Sequence, residues 1–250
     1  MNARCSGTFF EYCIFSSIRA NPYDNYTRNK FSNLLSTEPN IYNLQNIIKN
    51  RDIKYVQLLT DNKGRDNITA DMLLHLENGD LVGLSCKKNN MSIKHPCPYG
   101  LYRFLNSGHQ EAFSNTYSSI NNKWYNVMQS YELFNKVPPT MKQDMLNEVV
   151  DLISANINKS YIQFLLSQSI IKESYILHCN KNKQLNMYQV NKVDVDDFNI
   201  THNNHWIYIN VSNNIDIKMR LHTASSRILP TLKLKFDTKL VKSSGYMIKV

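Results

Sequence analysis

The sequence lacks any apolar run that approaches the roughly 20 residues needed to cross a bilayer. The apolar stretch of residues 9–18 is interrupted by Glu11, which argues against a signal peptide. The five cysteines contain no Cys-x-x-Cys pair, so neither a clustered zinc site nor a disulfide framework is predicted. We therefore expect an intracellular, cytoplasmic protein with no membrane segment.

Acidic residues are outnumbered by basic ones. The 250-residue chain has 20 Asp and Glu against 29 Lys and Arg, a formal net charge of +9, and its pI is about 9.2. Such a surplus suits a polyanionic partner, because each neutralised phosphate releases condensed counterions. The alternative is that the positive charge only keeps the protein in solution and has no polyanionic partner. The hydrophobic fraction of 42% indicates a globular chain, of one domain or at most two.

The order of the sequence patterns predicts an α+β fold. Apolar residues recur at helical spacing over residues 5–19 and from about residue 99 to 135, where Pro138-Pro139 follows as a breaker. A further helical region covers residues 141–169, with a break near residues 156–160. The last third changes to β-rich patterns. Over the whole chain, the predicted strands are residues 55–60, 68–76, 81–87, 174–179, 185–190, 205–211, 215–221 and 232–240.

One segment carries the most informative pattern: a strand with Asp71, a tight Asn78-Gly79 turn, and a second strand. Asn-Gly between two apolar runs is a strong hairpin signal, since both residues accept positive φ. The second strand carries Ser85 and Lys87, which alternation places on one face. The offset of 85 − 71 = 14 residues fits two strands paired through a short turn. This arrangement resembles the PD-(D/E)xK nucleases, in which a carboxylate on a hairpin strand holds a divalent cation.

In that chemistry Asp71 is the first metal ligand, and the backbone carbonyl of Cys86 can face the ion. Lys87 would orient or deprotonate the attacking water and stabilise the transition-state charge. Ser85 stands where the motif has Asp or Glu, so another carboxylate should supply the charge. Glu11, an acid on an otherwise apolar helix face, is the candidate helper ligand. The alternative is that Lys87 only ends a strand in solvent.

A wider set of matches resembles the HaeIII family of Type II restriction endonucleases. The family carries Gly-Leu-Ser-x-Lys-His-Asn followed shortly by Val-Lys-His-Ser-Arg. Ser85, Lys87, Asn89, Lys94 and His95 fall on matching positions, and the serine is therefore a family feature. The segments that carry the resemblance are residues 10–12, 37–41, 57–61, 83–89, 93–95, 205–207 and 220–226.

The resemblance implies Mg²⁺-dependent cleavage of double-stranded DNA at a GGCC-like target. It implies a PD-(D/E)xK-like core, a mixed sheet flanked by helices, in a single nuclease domain of residues 1–250. The catalytic hairpin would span about residues 68–95, and a β-rich C-terminal lobe about residues 174–250. Pro96-Cys97 depart from the family's Ser-Arg, which removes one arginine contact. The implied catalytic residues are Asp71, Ser85, Lys87 and Glu11; the implied DNA-binding residues are Asn89, Lys94, His95, Arg220, His222 and Arg227.

A symmetric target calls for two active sites, most simply from a homodimer whose twofold axis matches that of the DNA. The family also implies a cognate DNA methyltransferase in the same restriction-modification system. Two rival functions stay open. One is a repair or recombination nuclease with the same core that reads DNA structure. The other is a DNA-binding protein of this fold without catalysis, which the serine at position 85 keeps open.

Overall fold

The computed structural model describes residues 9–11, 13–15, 18, 51–59, 70–88, 93, 95–166, 173–182, 184–212 and 214–250. The chain divides into two compact units. The first is drawn from Met1–Met91, Ser167–Val193 and Gly245–Val250, and the second from Ser92–Leu166 and Asp194–Ser244. The strands of the last third are thus shared between the two units.

The helices and strands are numbered in chain order. The α-helices beyond the N-terminal region are α1 (Ser107–Met128), α2 (Pro139–Ser154) and α3 (Lys159–Leu165). Residues 9–11, 13–15 and 18 are also helical, and 3₁₀ turns cover Pro98–Phe104, Gln129–Tyr131 and Phe134–Lys136. The strands are β1 (Ile53–Leu58), β2 (Met72–Leu76), β3 (Leu81–Lys88), β4 (Glu173–Cys179), β5 (Leu185–Val190), β6 (Phe198–Asn203), β7 (Trp206–Val211), β8 (Ile215–Thr223), β9 (Leu234–Ser243) and β10 (Met247–Lys249).

The first unit contains a mixed six-stranded sheet in the order β1-β2-β3-β4-β5-β10. Strands β3 and β4 are parallel, whereas β1–β2, β2–β3, β4–β5 and β5–β10 are antiparallel. Parallel neighbours need a long crossover connection. Between β3 and β4 the chain passes through residues 92–166, which belong to the second unit.

One face of this sheet packs against the N-terminal helical residues. Phe10 and Ile14 are four positions apart and therefore share one side of a helix. Both are at most 1% exposed, and they join a core cluster with Leu84, Cys86 and Leu177 from β3 and β4. This packing leaves Glu11, between the two apolar positions in sequence, only half-buried.

The second unit contains an antiparallel sheet in the order β6-β7-β8-β9. Ile207 and Ile209 on β7 are buried while Tyr208 between them is exposed, which is the period-2 pattern of a half-buried strand. On β8, Ile217 and Met219 are buried on either side of half-buried Lys218. Helix α2 contacts β6, β7 and β8. The sheet therefore has one core face and one face outside that core.

The β2–β3 hairpin confirms the Asn-Gly signal, but only one of the two turn residues has the positive φ that both can accept. Gly79 has a positive φ of 85°, whereas Asn78 is absent from the non-glycine residues with positive φ in the described chain. Gly79 N–H donates to the Leu76 carbonyl at 3.0 Å, and Leu76 N–H donates to the Asp80 carbonyl at 3.0 Å. This is a three-residue loop with glycine in the left-handed position, and the predicted hairpin is confirmed, with β2 ending at Leu76 and β3 beginning at Leu81.

The α+β fold class is confirmed, and the predicted helix breaks are too: α2 begins at Pro139 and α3 at Lys159. The predicted strands correspond to β1–β5 and β7–β9, but β6 and β10 were not predicted. The start of the predicted strand 68–76 lies outside the described residues, and β2 begins only at Met72. In the described parts of the chain no helix is long and apolar enough to span a bilayer.

Candidate active site

The β2–β3 hairpin brings Asp71 into side-chain contact with Ser85. The register runs up to the Met72–Leu84 pair, and Asp71 comes immediately before β2. Two backbone hydrogen bonds hold Asp71 in this position. Its N–H donates to the Leu84 carbonyl at 2.8 Å, and its carbonyl accepts from Leu59 N–H at 2.9 Å. The spacing of 14 residues in the sequence is therefore a direct cross-strand contact.

The Asp71 carboxylate is oriented by two donors from β3. Ser85 Oγ donates to Asp71 Oδ2 at 3.1 Å, and the Cys86 backbone N–H donates to the same oxygen at 2.6 Å. Hydrogen bonds to an ionised acceptor are shorter and stronger than neutral ones. Both of these bonds fall on Oδ2, and Oδ1 of Asp71 accepts no hydrogen bond from the residues that the structure describes.

The side chains of β3 separate by face. Cys86 is buried in the core cluster, whereas Ser85 bonds Asp71 on the other face and Lys87 shares that face by alternation. In a strand, the N–H and C=O of one residue point to the same neighbour. The Cys86 carbonyl therefore points to the same side of β3 as the Cys86 N–H, which is the side of the Asp71 carboxylate.

The Cys86 thiol reports the charges of this site. Burial raises the pKa of the Cys86 thiol well above its usual value, and the carboxylates of Asp71 and Glu11 raise it further, while Lys87 opposes them. Asp71, Glu11 and Lys87 therefore act on this thiol only through their charges. The contacts that the structure shows among the predicted catalytic residues are those of Asp71 with Ser85 and with the Cys86 N–H.

The structure adds His178, which the sequence gave no reason to select. On the parallel strand β4, His178 pairs with Lys87 and Ile176 pairs with Ser85. Nε2 of His178 is buried and has no hydrogen-bond partner among the described residues. Because the sequence does not reveal which strand pairs with β3, only the register of β4 could identify this neighbour of Lys87.

The donors at Asp71 are of the hard oxygen type that suits magnesium. They are the Asp71 carboxylate, the Cys86 carbonyl and the Ser85 hydroxyl, and the Glu11 carboxylate is the further acid that the sequence predicts. Within the described ranges no group of three or more His, Cys, Asp or Glu side chains is placed to hold an ion. Magnesium commonly takes one or two carboxylates and keeps several waters, so these residues fit it without an all-protein cage.

A second cluster lies wholly within the second unit and gathers three of the expected DNA-binding residues around Asp237. Arg220 donates to Asp237 Oδ2 at 2.9 Å. His222 Nε2 lies 3.2 Å from Oδ1 without forming a hydrogen bond, and this contact is an ion pair when the imidazole is protonated. His95 Nδ1 lies 3.9 Å from Oδ1 and accepts the Thr238 N–H at 3.1 Å.

Asp237 was not predicted, and its ionisation depends on this cluster. Burial opposes its charged form, but the hydrogen bond from Arg220 and the nearby charges of His222, His95 and Arg220 lower its pKa below the usual value. Asp237 is paired with Arg220 across the β8–β9 ladder. The sequence could not show this pairing, because the β8–β9 register had to be known first.

The other expected DNA-binding residues are not part of this cluster. Arg227 is exposed, forms an isolated β-bridge with Leu133, and donates its backbone N–H to Ser225 Oγ at 3.1 Å. Asn89 and Lys94 lie outside the described residues. Their expected role stays a prediction.

No protein-family model matches the chain, and no curated protein matches it either.

Proposed function

We propose that the protein is a magnesium-dependent endonuclease of the PD-(D/E)xK kind that cleaves double-stranded DNA, as a Type II restriction endonuclease. The observation that carries this proposal is the contact of Asp71 with Ser85 and the Cys86 N–H, with Lys87 two residues further on the Ser85 face. The mixed sheet that holds the hairpin is consistent with the expected core. The basic charge suits a DNA substrate.

Each side chain has a role that follows from its position. Ser85 and the Cys86 N–H fix the orientation of the Asp71 carboxylate. Lys87 presents an ammonium group on the same face, where it orients the attacking water and stabilises negative charge on the phosphate. Glu11 would supply the second negative charge, in place of the acid that Ser85 does not provide.

Asp71, Glu11 and the Cys86 carbonyl would hold the ion, with Ser85 supporting Asp71. A bound divalent cation neutralises charge on the phosphate and lowers the pKa of a bound water. A homodimer would present two such sites to a symmetric sequence, and a cognate methyltransferase would protect host DNA. A GGCC-like target belongs to the same proposal.

Supercoiled plasmid DNA tests the hydrolytic step. The purified chain should nick and linearise it with Mg²⁺ but not with excess chelator. Lys87→Ala should lower the rate by about 100- to 10,000-fold, and Asp71→Asn, which removes an anionic ligand of the ion, should abolish cleavage or shift it to higher magnesium concentrations. Lys54→Ala, which removes an exposed lysine from β1, is the control and should keep the wild-type rate. Cleavage that survives Lys87→Ala would remove Lys87 from the mechanism.

A DNA-binding protein without catalysis is the second candidate. It is favoured by the serine at position 85 and by the lack, in the part of the chain that the structure describes, of a group of three metal-ligating side chains. Such a protein would retard DNA in a gel with a steep dependence on salt, yet leave it intact at every magnesium concentration.

A further inference from the structure

The outer face of the β6–β9 sheet carries a cluster of cations and aromatic rings. Along β7 this face presents Trp206 and Tyr208, along β8 Lys218 and Arg220, and along β9 Lys239. The register pairs Trp206 with Arg220, Tyr208 with Lys218, and Lys218 with Lys239. Directly paired residues of antiparallel strands share a face. We call these five residues the Lys218 face.

Two cations lie against the ring of Trp206. Lys218 Nζ is 4.1 Å from the ring centroid and Arg220 Cζ is 5.7 Å from it. Lys218 Nζ is also 5.1 Å from the centroid of Tyr208. The rings attract a cation through their negative faces, so the Lys218 ammonium is held above the sheet at a fixed place.

The two cations differ in how they are neutralised. Arg220 forms an ion pair with Asp237 at 2.9 Å. Lys218 has no carboxylate within ion-pair distance among the described residues, and neither has Lys239. Like charges placed directly opposite each other across a ladder are destabilising. The Lys218–Lys239 pair therefore lowers stability in the isolated chain, and an anion bound between the two lysines would remove this cost.

A depression adjoins Lys218. It has a volume of about 340 Å³ and is lined by Thr201, Tyr208, Asn210 and Lys218 among others. Asn210 donates to Asp216 Oδ1 at 2.6 Å, which fixes the amide and orients the Asp216 carboxylate of the lining. The depression thus places the Lys218 ammonium beside hydroxyl and amide groups, and a lysine ammonium in such a setting can donate to a phosphate oxygen.

We propose that the Lys218 face is a docking surface for the phosphate backbone of double-stranded DNA. This rests on the proposed function for the choice of DNA as the polyanion. Trp206 and Tyr208 are already engaged by cations, so they serve to hold Lys218 and do not offer a free platform for stacking unpaired bases. Lys218 and Lys239 contact phosphates without regard to sequence.

The test measures binding in the presence of chelator, where no magnesium-dependent cleavage occurs. A fluorescently labelled duplex is titrated with the full chain by anisotropy, between about 50 and 200 mM salt. Lys218→Ala and Lys239→Ala should each weaken binding by up to about tenfold near 0.1 M salt and reduce the slope of log K against log salt by about 1. Lys218→Gln should behave like Lys218→Ala.

Lys123 supplies a matched control. Its Nζ lies 5.0 Å from the ring centroid of Trp124, but Glu148 neutralises it at 2.8 Å. Lys123→Ala therefore removes a lysine with the same ring contact and an existing partner, and it should leave the salt slope unchanged. Equal slopes for the wild type, Lys218→Ala and Lys218→Gln, in proteins of unchanged circular dichroism, would overturn the proposal.

Two further outcomes separate this proposal from the proposed function. If the lysine variants have a reduced salt slope but the wild-type chain never cleaves DNA, the Lys218 face stands as a docking surface and the proposed nuclease function is wrong. Magnesium-dependent cleavage with unaltered slopes would keep the nuclease and overturn the docking surface. Tighter binding of single-stranded DNA or RNA than of the duplex, lost in Lys218→Ala, would overturn the assignment to duplex DNA.

Discussion

At the residue scale, Asp71 connects the stability of the hairpin to the chemistry of the site. Its carboxylate accepts the N–H of buried Cys86 at 2.6 Å and the hydroxyl of Ser85 at 3.1 Å. A buried N–H that loses its acceptor costs the full desolvation free energy of that group. Asp71 is therefore needed by the fold as well as by the proposed reaction, and the two roles can be separated by substitution.

Asp71→Ala should lower the free energy of unfolding by about 1–3 kcal/mol, because the Cys86 N–H is left without an acceptor. Asp71→Asn keeps an amide oxygen for that N–H and should cost less than half as much, while still losing the negative charge. Urea unfolding of both variants measures the difference. Equal losses for Ala and Asn would show that the Cys86 hydrogen bond does not stabilise the hairpin.

The Cys86 thiol should resist alkylation. Its pKa is raised by burial first and then by Asp71 and Glu11, so the reactive thiolate forms only at higher pH than in an ordinary cysteine. Exposed Cys97 is the internal comparison. Iodoacetamide at about pH 8 followed by peptide mass spectrometry should label Cys97 long before Cys86. Comparable rates at the two cysteines would contradict the placement of Cys86 in the core.

At the element scale, the turn of the catalytic hairpin sets the register that brings Asp71 to Ser85. Gly79 has a φ of 85°, and a Cβ added there would meet no atom within 4 Å. The cost of a side chain at this position is therefore conformational and not steric. A side chain at a glycine in ordinary helical geometry, such as Gly108 near the start of α1, carries no such conformational cost.

Gly79→Ala should lower the free energy of unfolding by about 1 kcal/mol, since alanine disfavours the left-handed region. Gly108→Ala should instead raise it by a few tenths to about 1 kcal/mol, because alanine is the better helix former. Opposite signs in parallel chemical denaturation are the expected result. A neutral or stabilising Gly79→Ala would mean that the hairpin tolerates another turn.

The β8–β9 ladder should be sensitive to acid through Asp237. The folded pKa of Asp237 lies below its usual value of 3.8. The ionised carboxylate therefore contributes stability above about pH 4 and loses it as the pH falls through the folded pKa. The stability difference between the wild type and Asp237→Asn should shrink as the pH falls from about 5 to about 3. A difference that stays constant or grows over this range would contradict the ion pair with Arg220.

These elements also show what the sequence could reveal. The contact between Asp71 and Ser85 follows from alternation and a short turn, both local features. By contrast, β6 was missed because Phe198–Asn203 is rich in Asn and has little apolar alternation, and β10 because it has three residues. His178 and Asp237 depend on the pairing of distant strands. Composition and local spacing do not encode such pairings.

At the scale of the whole molecule, we assign phosphodiester hydrolysis to the first unit and duplex docking to the second. The net charge of +9 supports both roles, since DNA enters as a polyanion. The proposed hydrolysis would require Glu11 of the N-terminal helical segment, Asp71 immediately before β2, and residues of β3. Docking requires only the outer face of β7, β8 and β9. Loss of one activity without the other is therefore an expected property of well-chosen variants.

Digestion of unmethylated phage DNA tests the central claim most directly. The purified chain should give discrete fragments with Mg²⁺ and none with chelator or with Lys87→Ala, and sequencing of the fragment ends should return one short site. Intact DNA of retarded mobility at every magnesium concentration would contradict a nuclease and leave a DNA-binding protein. A smear without defined ends would contradict a restriction enzyme while keeping the hydrolytic site.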